Sequence, residues 1–197
     1  MKLLNLLSFS AILMTSVGFS QSNNPLYLDA NQPVEVRLDD LMSRMTLEEK
    51  VYQMNQFVGL DHMREAEKNL SVEDLHSNDA QGFYKGLFSD DVAQMTKEGK
   101  IGSFLHVLTT EEANLLQELA FQSRLKIPIL IGIDAIHGNA LVSGTTVYPS
   151  PISLASTWSD AFLYDVGKQS AKEMRATGSH WAFTPNIDVL RDPRWGR

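Results

Sequence analysis

Two clusters of polar residues, each set directly after a short apolar run, carry the side chains that could do chemistry. The first follows Ile129 to Ile133 and offers Asp134 and His137; the second follows Trp181 to Thr184 and offers Asp188, Arg191, Asp192, Arg194 and Arg197. A segment of helical period separates the runs, which predicts a βαβ unit, and parallel strands joined in this way deliver both clusters to one rim of a sheet. Asp134 leaves a fully apolar strand, so its carboxylate belongs at that rim, close to a cation, a donor network or a ligand hydroxyl; capping of the next turn through local backbone is the equal alternative. In the tail RDPRWGR, Arg194 or Arg197 could make a forked bond to a carboxylate or to adjacent hydroxyls, with Trp195 as a flat apolar platform. The structural alternative there pairs Arg191 with Asp192 across a turn fixed by Pro193.

Several chemistries lack their residues. Asp134 and His137 are two ligands without a locally spaced third, too few for a metal site. The glycines at 132, 138 and 144 make no G-x-G-x-x-G fingerprint, no phosphate-loop lysine follows them, and no G-x-S-x-G elbow is present. A net charge of −7 argues against a nucleic-acid partner and leaves neutral polar ligands as the easier match for a rim of carboxylates and guanidiniums. The absence of cysteine rules out a disulfide framework and a lipid-bearing cysteine, so the fold must rest on packing. Lys2, the apolar stretch Leu3 to Phe19 and the small-residue exit near Gly18 to Gln21 predict a secretory signal peptide over 1–21 rather than a membrane span, hence a secreted or periplasmic protein.

The elements that must position the clusters follow from spacing. Residues 22–32 are polar and bounded by proline, a linker into a domain over 33–197. Val34, Leu38, Leu41, Met42 and Met45 predict an amphipathic helix, and Thr46 with Glu49 forms a capping box ahead of Leu47, Val51 and Met54. Residues 60–88 are mostly polar and weakly periodic and read as a surface excursion, helical in places, with His62 and His76 in solvent. Ser89 is expected to cap a helix through Val92 and Met95 that Gly99 closes. The alternation then becomes regular: a strand from Ile101 to Leu108, a helix opened by Thr109 and Glu112 with Leu115, Leu116, Leu119 and Leu125 toward the core, a strand from Ile129, a helix from Ser159 to Gly178 through Phe162, Leu163, Val166 and Met174, and a strand at Trp181. That order predicts an α/β domain with a parallel sheet covered by helices.

The runs RMTLEEKVYQM, SRLKIPILIGIDAIHG, YPSPISLASTW and NIDVLRDPRWGR together resemble the N-terminal domain of family 3 glycoside hydrolases, particularly secreted bacterial β-glucosidases. The resemblance covers most of the chain after residue 21 outside 60–88. It implies a partial TIM-type (β/α) barrel with outer helices, preceded by N-terminal helices, and hydrolysis of terminal non-reducing β-D-glucosyl residues with retention. Asp134 stands at the family's D-x-x-H-G aspartate and Arg197 at the last arginine of its DPRWGR-type motif, which makes both contacts of the terminal sugar; His137 and Arg191 would support them from behind. The implied substrate is a β-linked oligosaccharide or glucoside, with no cofactor, no metal and no membrane anchor once a signal is removed.

A retaining glycosidase needs two carboxylates flanking the scissile bond. The family places its nucleophile on a later barrel strand, its acid/base in a following α/β sandwich, and a sugar-holding Lys-His pair later as well. Since a whole barrel takes about 250 residues, the expectation is the first part of one, a fragment inactive by itself, with an open sheet edge that favours aggregation. Pairing Asp134 with Asp188 as the catalytic carboxylates is rejected, because the resemblance makes Asp134 a binding residue. The alternatives are a β-xylosidase or other exo-glycosidase of the same family, and a non-catalytic truncated carbohydrate-binding protein.

Overall fold

The computed structural model describes residues 25–69, 71, 84, 86–186, 189, 191, 192 and 194, so the predicted signal segment lies outside the described residues. The chain divides into two compact units, Met1–Arg44 and Met45–Arg197. In the first, a 3-10 turn at Leu26–Leu28 precedes helix α1, Val34–Arg44. Asp40 ties them: it accepts the Tyr27 N–H at 3.1 Å and a fork from Arg44, whose Nε lies at 3.0 Å. Arg37 Nε adds a bond to the Tyr27 carbonyl at 3.0 Å. The helix predicted here forms, yet Val34, Leu38 and Met42 stay exposed, so its apolar stripe is not core.

The second unit opens with α2, Leu47–Tyr52, and the expected capping box is present: Thr46 Oγ1 accepts from Glu49 N at 3.2 Å while Glu49 Oε2 accepts from Thr46 N at 2.9 Å. Glu49 also takes a bond from Arg124 Nε at 2.9 Å, and that guanidinium holds its carboxyl below the usual range. Leu47 and Val51 lie on α2, but the helix stops before Met54, which sits in the following turn, and all three are exposed. Strand β1, Gln56–Val58, follows at once and is absent from the sequence reading. Next come α3 (Leu60–Asn69), α4 (Ser89–Lys97), β2 (Ser103–Leu105), α5 (Thr110–Ala120), β3 (Leu130–Ile133), α6 (Pro151–Ala155), α7 (Asp160–Ala176) and β4 (Trp181–Ala182).

The four strands form one parallel sheet in the order β1-β2-β3-β4, each pairing with its neighbour in sequence. This is the α/β arrangement of a partial (β/α) barrel, with helices on the crossovers. Register places Phe57, Phe104 and Ile131 side by side, and these three are buried with Leu60, Met63, Val92, Leu116 and Leu119 in the main core. Each fully buried Leu, Ile or Phe stabilises by about 1.5–3 kcal/mol, so this layer sets where the strands end. The 60–88 region is no mere excursion: Leu60 and Met63 are fully buried, and Tyr84 packs edge-on against Phe57 with ring centroids 4.5 Å apart. His62 is exposed, as expected, and His76 lies outside the described residues.

Other expectations shift by a residue or two. Phe88 takes the cap position of α4 and donates its N–H to Asp91, leaving Ser89 inside the helix with its hydroxyl on Glu67 Oε2 at 2.8 Å. Thr109 caps α5 through the Glu112 N–H, and Ser159 caps α7 through the Phe162 N–H. Leu125 is buried but in the loop beyond α5, while Phe162 and Leu163 sit at the surface, leaving Val166, Ser170 and Met174 as the buried positions of α7. Among the described residues no helix is long and apolar enough to cross a membrane.

One buried carboxylate joins the crossovers. Glu112, 4% exposed, turns away from its own helix and accepts the Asp61 N–H at 3.0 Å, satisfying a free donor at the start of α3. Burial raises its carboxyl above the usual value, so the folded state holds that proton more tightly than the unfolded chain. The resulting destabilisation is absent in acid and grows as pH climbs through the raised value. Glu112→Gln should therefore raise the melting temperature at neutral pH and converge on the wild type in acid. Glu112→Ala, which leaves the α3 donors unpaired, should cost about 1–3 kcal/mol in thermal melting at either pH.

Candidate functional site

Strands β2 and β3 run in parallel with Leu105 opposite Gly132, so the residues that follow them emerge side by side. After Leu105 the backbone turns out of the sheet: His106 adopts φ +56°, a left-handed conformation costing a non-glycine residue about 1–2 kcal/mol. The turn is fixed on both sides. Gly59 N donates to the Leu105 carbonyl at 2.9 Å, and His106 N donates to the Gly132 carbonyl at 2.9 Å. Gly59 also makes room for it, since a Cβ there would lie 2.9 Å from the His106 carbonyl oxygen.

Asp134 stands at the C-terminal end of β3, at the predicted rim, with its side chain 51% exposed. Its recorded partner is His106, whose Nε2 lies 3.2 Å from Asp134 Oδ2; among the described residues no bond from the backbone of its own turn accompanies it. An ionised carboxylate only accepts, so Nε2 carries the proton in this contact. The sequence reading missed His106 because it fell inside the strand expected from Ile101 to Leu108. The one available signal was a lone polar side chain in the apolar run FLHVL.

The loop after Asp134 is bolted down at several points. His137 Nδ1 donates to the Tyr148 carbonyl at 2.9 Å, and Tyr148 N returns a bond to the His137 carbonyl at 3.0 Å. Gly138 follows with φ +73°, its Cα so close to Tyr148 that a Cβ would meet Cδ2 of the ring at 2.7 Å. Asn139, wholly buried, donates to Thr177 Oγ1 at 3.0 Å, and Thr145 Oγ1 donates to the Asn139 carbonyl at 2.6 Å. Thr146 donates through both its N–H and its hydroxyl to Glu173 on α7, and the hydroxyl holds that carboxyl below the usual range. A cavity of about 290 Å³ lined by Ala135, Leu154, Val166, Met174, Ala182 and Pro185 lies beside this loop; its apolar wall suits packing rather than hydroxyl recognition.

Of the second cluster, Asp188 and Arg197 lie outside the described residues, as do Pro193 and Trp195, and Arg191 is exposed. Asp192 pairs with Arg194 rather than with Arg191. Its Oδ1 accepts both the Arg194 N–H and Nε at 2.9 Å, because a carboxylate reaches the backbone two residues on more readily than its immediate neighbour's head group. The Arg194 fork is thereby occupied, and its guanidinium holds the Asp192 carboxyl below its ordinary range. Among the described residues no group of three or more His, Asp or Glu is placed to hold a metal ion.

Residues 46–197 match the glycosyl hydrolase family 3 N terminal domain. The chain belongs to that family. A periplasmic β-glucosidase from Salmonella typhimurium is 30% identical over 177 residues, covering 89% of this chain and 19% of the relative. A β-xylosidase from Formosa agariphila is 35% identical over 105 residues, 50% of this chain and 14% of that protein. Among solved structures, a mutant β-glucosidase from Listeria innocua in complex with laminaribiose superposes with a TM-score of 0.58 at 29% identity, over 84% of this chain and 21% of that one. The chain thus spans about a fifth or less of these three family 3 proteins.

The Asp-Ala-Ile-His-Gly turn depends on its glycine having no side chain. Gly138→Ala would push a methyl into the Tyr148 ring and hold a left-handed backbone with an L side chain. The expected loss is about 1–3 kcal/mol, read as a lower melting temperature; an unchanged midpoint would show that the Tyr148 segment gives way freely.

Proposed function

We propose that the full-length protein is an exo-acting glycosidase that removes terminal glucose from β-linked glucosides with retention, and that this chain contributes part of the rim holding the terminal sugar. Asp134 accepts hydrogen bonds from hydroxyls of the non-reducing sugar, Arg197 donates to the same ring, and His137 and Arg191 support them. The observation that carries the reading is the half-exposed Asp134 carboxylate at the C-terminal end of a parallel strand, the rim where (β/α) barrels bind ligands. Membership of family 3, with relatives named β-glucosidases, supports the substrate class.

In this reading residues 1–21 are an export signal, 22–32 a linker and 33–197 the first part of the barrel domain, and the mature protein is secreted or periplasmic. Lys2 with the apolar stretch Leu3 to Phe19, and a relative described as periplasmic, support that placement. The nucleophile and the acid/base carboxylate belong to segments that the longer relatives carry. No cofactor is called for: a carboxylate grip on hydroxyls and a carboxylate pair at the scissile bond account for the chemistry.

A second reading, an exo-β-xylosidase on the same scaffold, is favoured by the 35% identity to the Formosa agariphila enzyme. Aryl β-glucoside and aryl β-xyloside assays of the full-length protein separate the two. On the preferred substrate Asp134→Ala should lower kcat/KM by about 10²–10⁴-fold, because sugar hydroxyls lose a charged acceptor. Unchanged turnover would remove Asp134 from the sugar site.

A further inference from the structure

We infer that His106 is a positioning residue for the Asp134 carboxylate, setting in advance the direction from which that carboxylate meets a ligand hydroxyl. The inference rests on the reading of Asp134 as a sugar contact. It is carried by two independent observations, one of backbone and one of side chain. His106 holds φ +56° immediately after β2, at the point where the ladder bonds from Gly59 to the Leu105 carbonyl and from His106 N to the Gly132 carbonyl end the strand's pairing. From that turn its imidazole crosses to the neighbouring strand end and places Nε2 3.2 Å from Asp134 Oδ2, across 28 positions of sequence.

Strained backbone of this kind persists where the surroundings hold it, and it clusters at sites that must aim a side chain. Had the strand continued, the residue after Leu105 would have alternated to a face of the sheet instead of leaning across its edge. The imidazole and the carboxylate are 32% and 51% exposed, open enough for a ligand to reach both.

An ionised carboxylate offers about four acceptor positions. His106 takes one of them, on Oδ2, and leaves Oδ1 and the second lone pair of Oδ2 toward the rim. A carboxylate free to rotate about its last torsion must be ordered when the sugar arrives; one already tied has that loss behind it.

The test uses the full-length protein and an aryl β-glucoside, with Asp134→Ala, His106→Ala, His106→Asn, His106→Gln and the double variant Asp134→Ala/His106→Asn. Asparagine enters the left-handed region readily, so H106N preserves the turn while its shorter amide falls short of Oδ2. Glutamine carries its amide nitrogen to where Nε2 stands. H106N should melt with the wild type yet lose about tenfold in kcat/KM, mainly through KM, as expected for one charge-assisted contact. H106Q should stay within about threefold of the wild type, and H106N should add nothing in the D134A background.

If D134A is impaired while H106N and H106A keep wild-type kinetics, the role of His106 is overturned and the sugar-site reading stands. An H106N loss that persists in full alongside D134A overturns it too, because the residue would then act independently of the carboxylate. Wild-type kinetics for D134A defeat the sugar-site reading itself and this inference with it. Should H106A fail to fold, H106N and H106Q decide.

Discussion

Everything at the rim depends on the parallel register of β2 against β3. With Phe104 opposite Ile131 and Leu105 opposite Gly132, the chain leaving one strand must pass beside the chain leaving the other. That register is anchored from below, where Phe57, Phe104 and Ile131 form a buried row under α3, α4 and α5. A slip of one residue would send each of those side chains to the opposite face, exposing three large apolar groups, so the alternative registers lie several kcal/mol higher. The meeting of His106 and Asp134 is thus a consequence of core packing rather than of any attraction between the two. Crossover helices are the other half of the requirement, because parallel neighbours cannot be joined by a tight turn.

Rigidity above the sheet comes from polar bonds instead. The segment from His137 to Tyr148 contains little regular structure, yet His137, Asn139, Thr145 and Thr146 tie it to itself or to the far half of α7. Asn139 and Thr177 meet where the loop has no apolar anchor of its own beyond Ala135 and Val142. A loop fastened in this way keeps the base of Asp134 fixed while leaving its carboxylate in water, the combination a recognition site needs.

What could be read from the amino acids alone was whatever repeated or capped. The box of Thr46 and Glu49, the caps at Thr109 and Ser159, and the apolar run into Ile133 each pair a local rule with a local structure, and each appears where expected. Strand β1 escaped because Gln56–Val58 is three residues long with only Phe57 buried, too short for an alternation to register. The exposed Leu47 and Val51 of α2, with Met54 already past its end, show the opposite limit: period tells neither where a helix stops nor what covers it. Asp134 was legible as a rim residue because a charge after an unbroken apolar strand has nowhere else to go. His106 was not, since its role arises from a backbone turn and from a partner on another strand, neither of which leaves a local pattern. The carboxylate of Glu112 is a similar case, its donor lying 51 positions away on α3.

Magnitudes separate the contacts that build the fold from the one that does not. Glu49, with its side chain 21% exposed, serves a helix cap and an ion pair at once, so removing it would undo two local structures. The His106–Asp134 contact is more exposed on both sides, and exposed pairs of this type contribute about 0–1 kcal/mol. The left-handed backbone that makes it possible costs a non-glycine residue about 1–2 kcal/mol. Taken as a stabilising device, the arrangement roughly cancels itself or falls short. A glycine after Leu105 would relieve the backbone and forfeit only a weak contact, so stability by itself gives no reason for a histidine there.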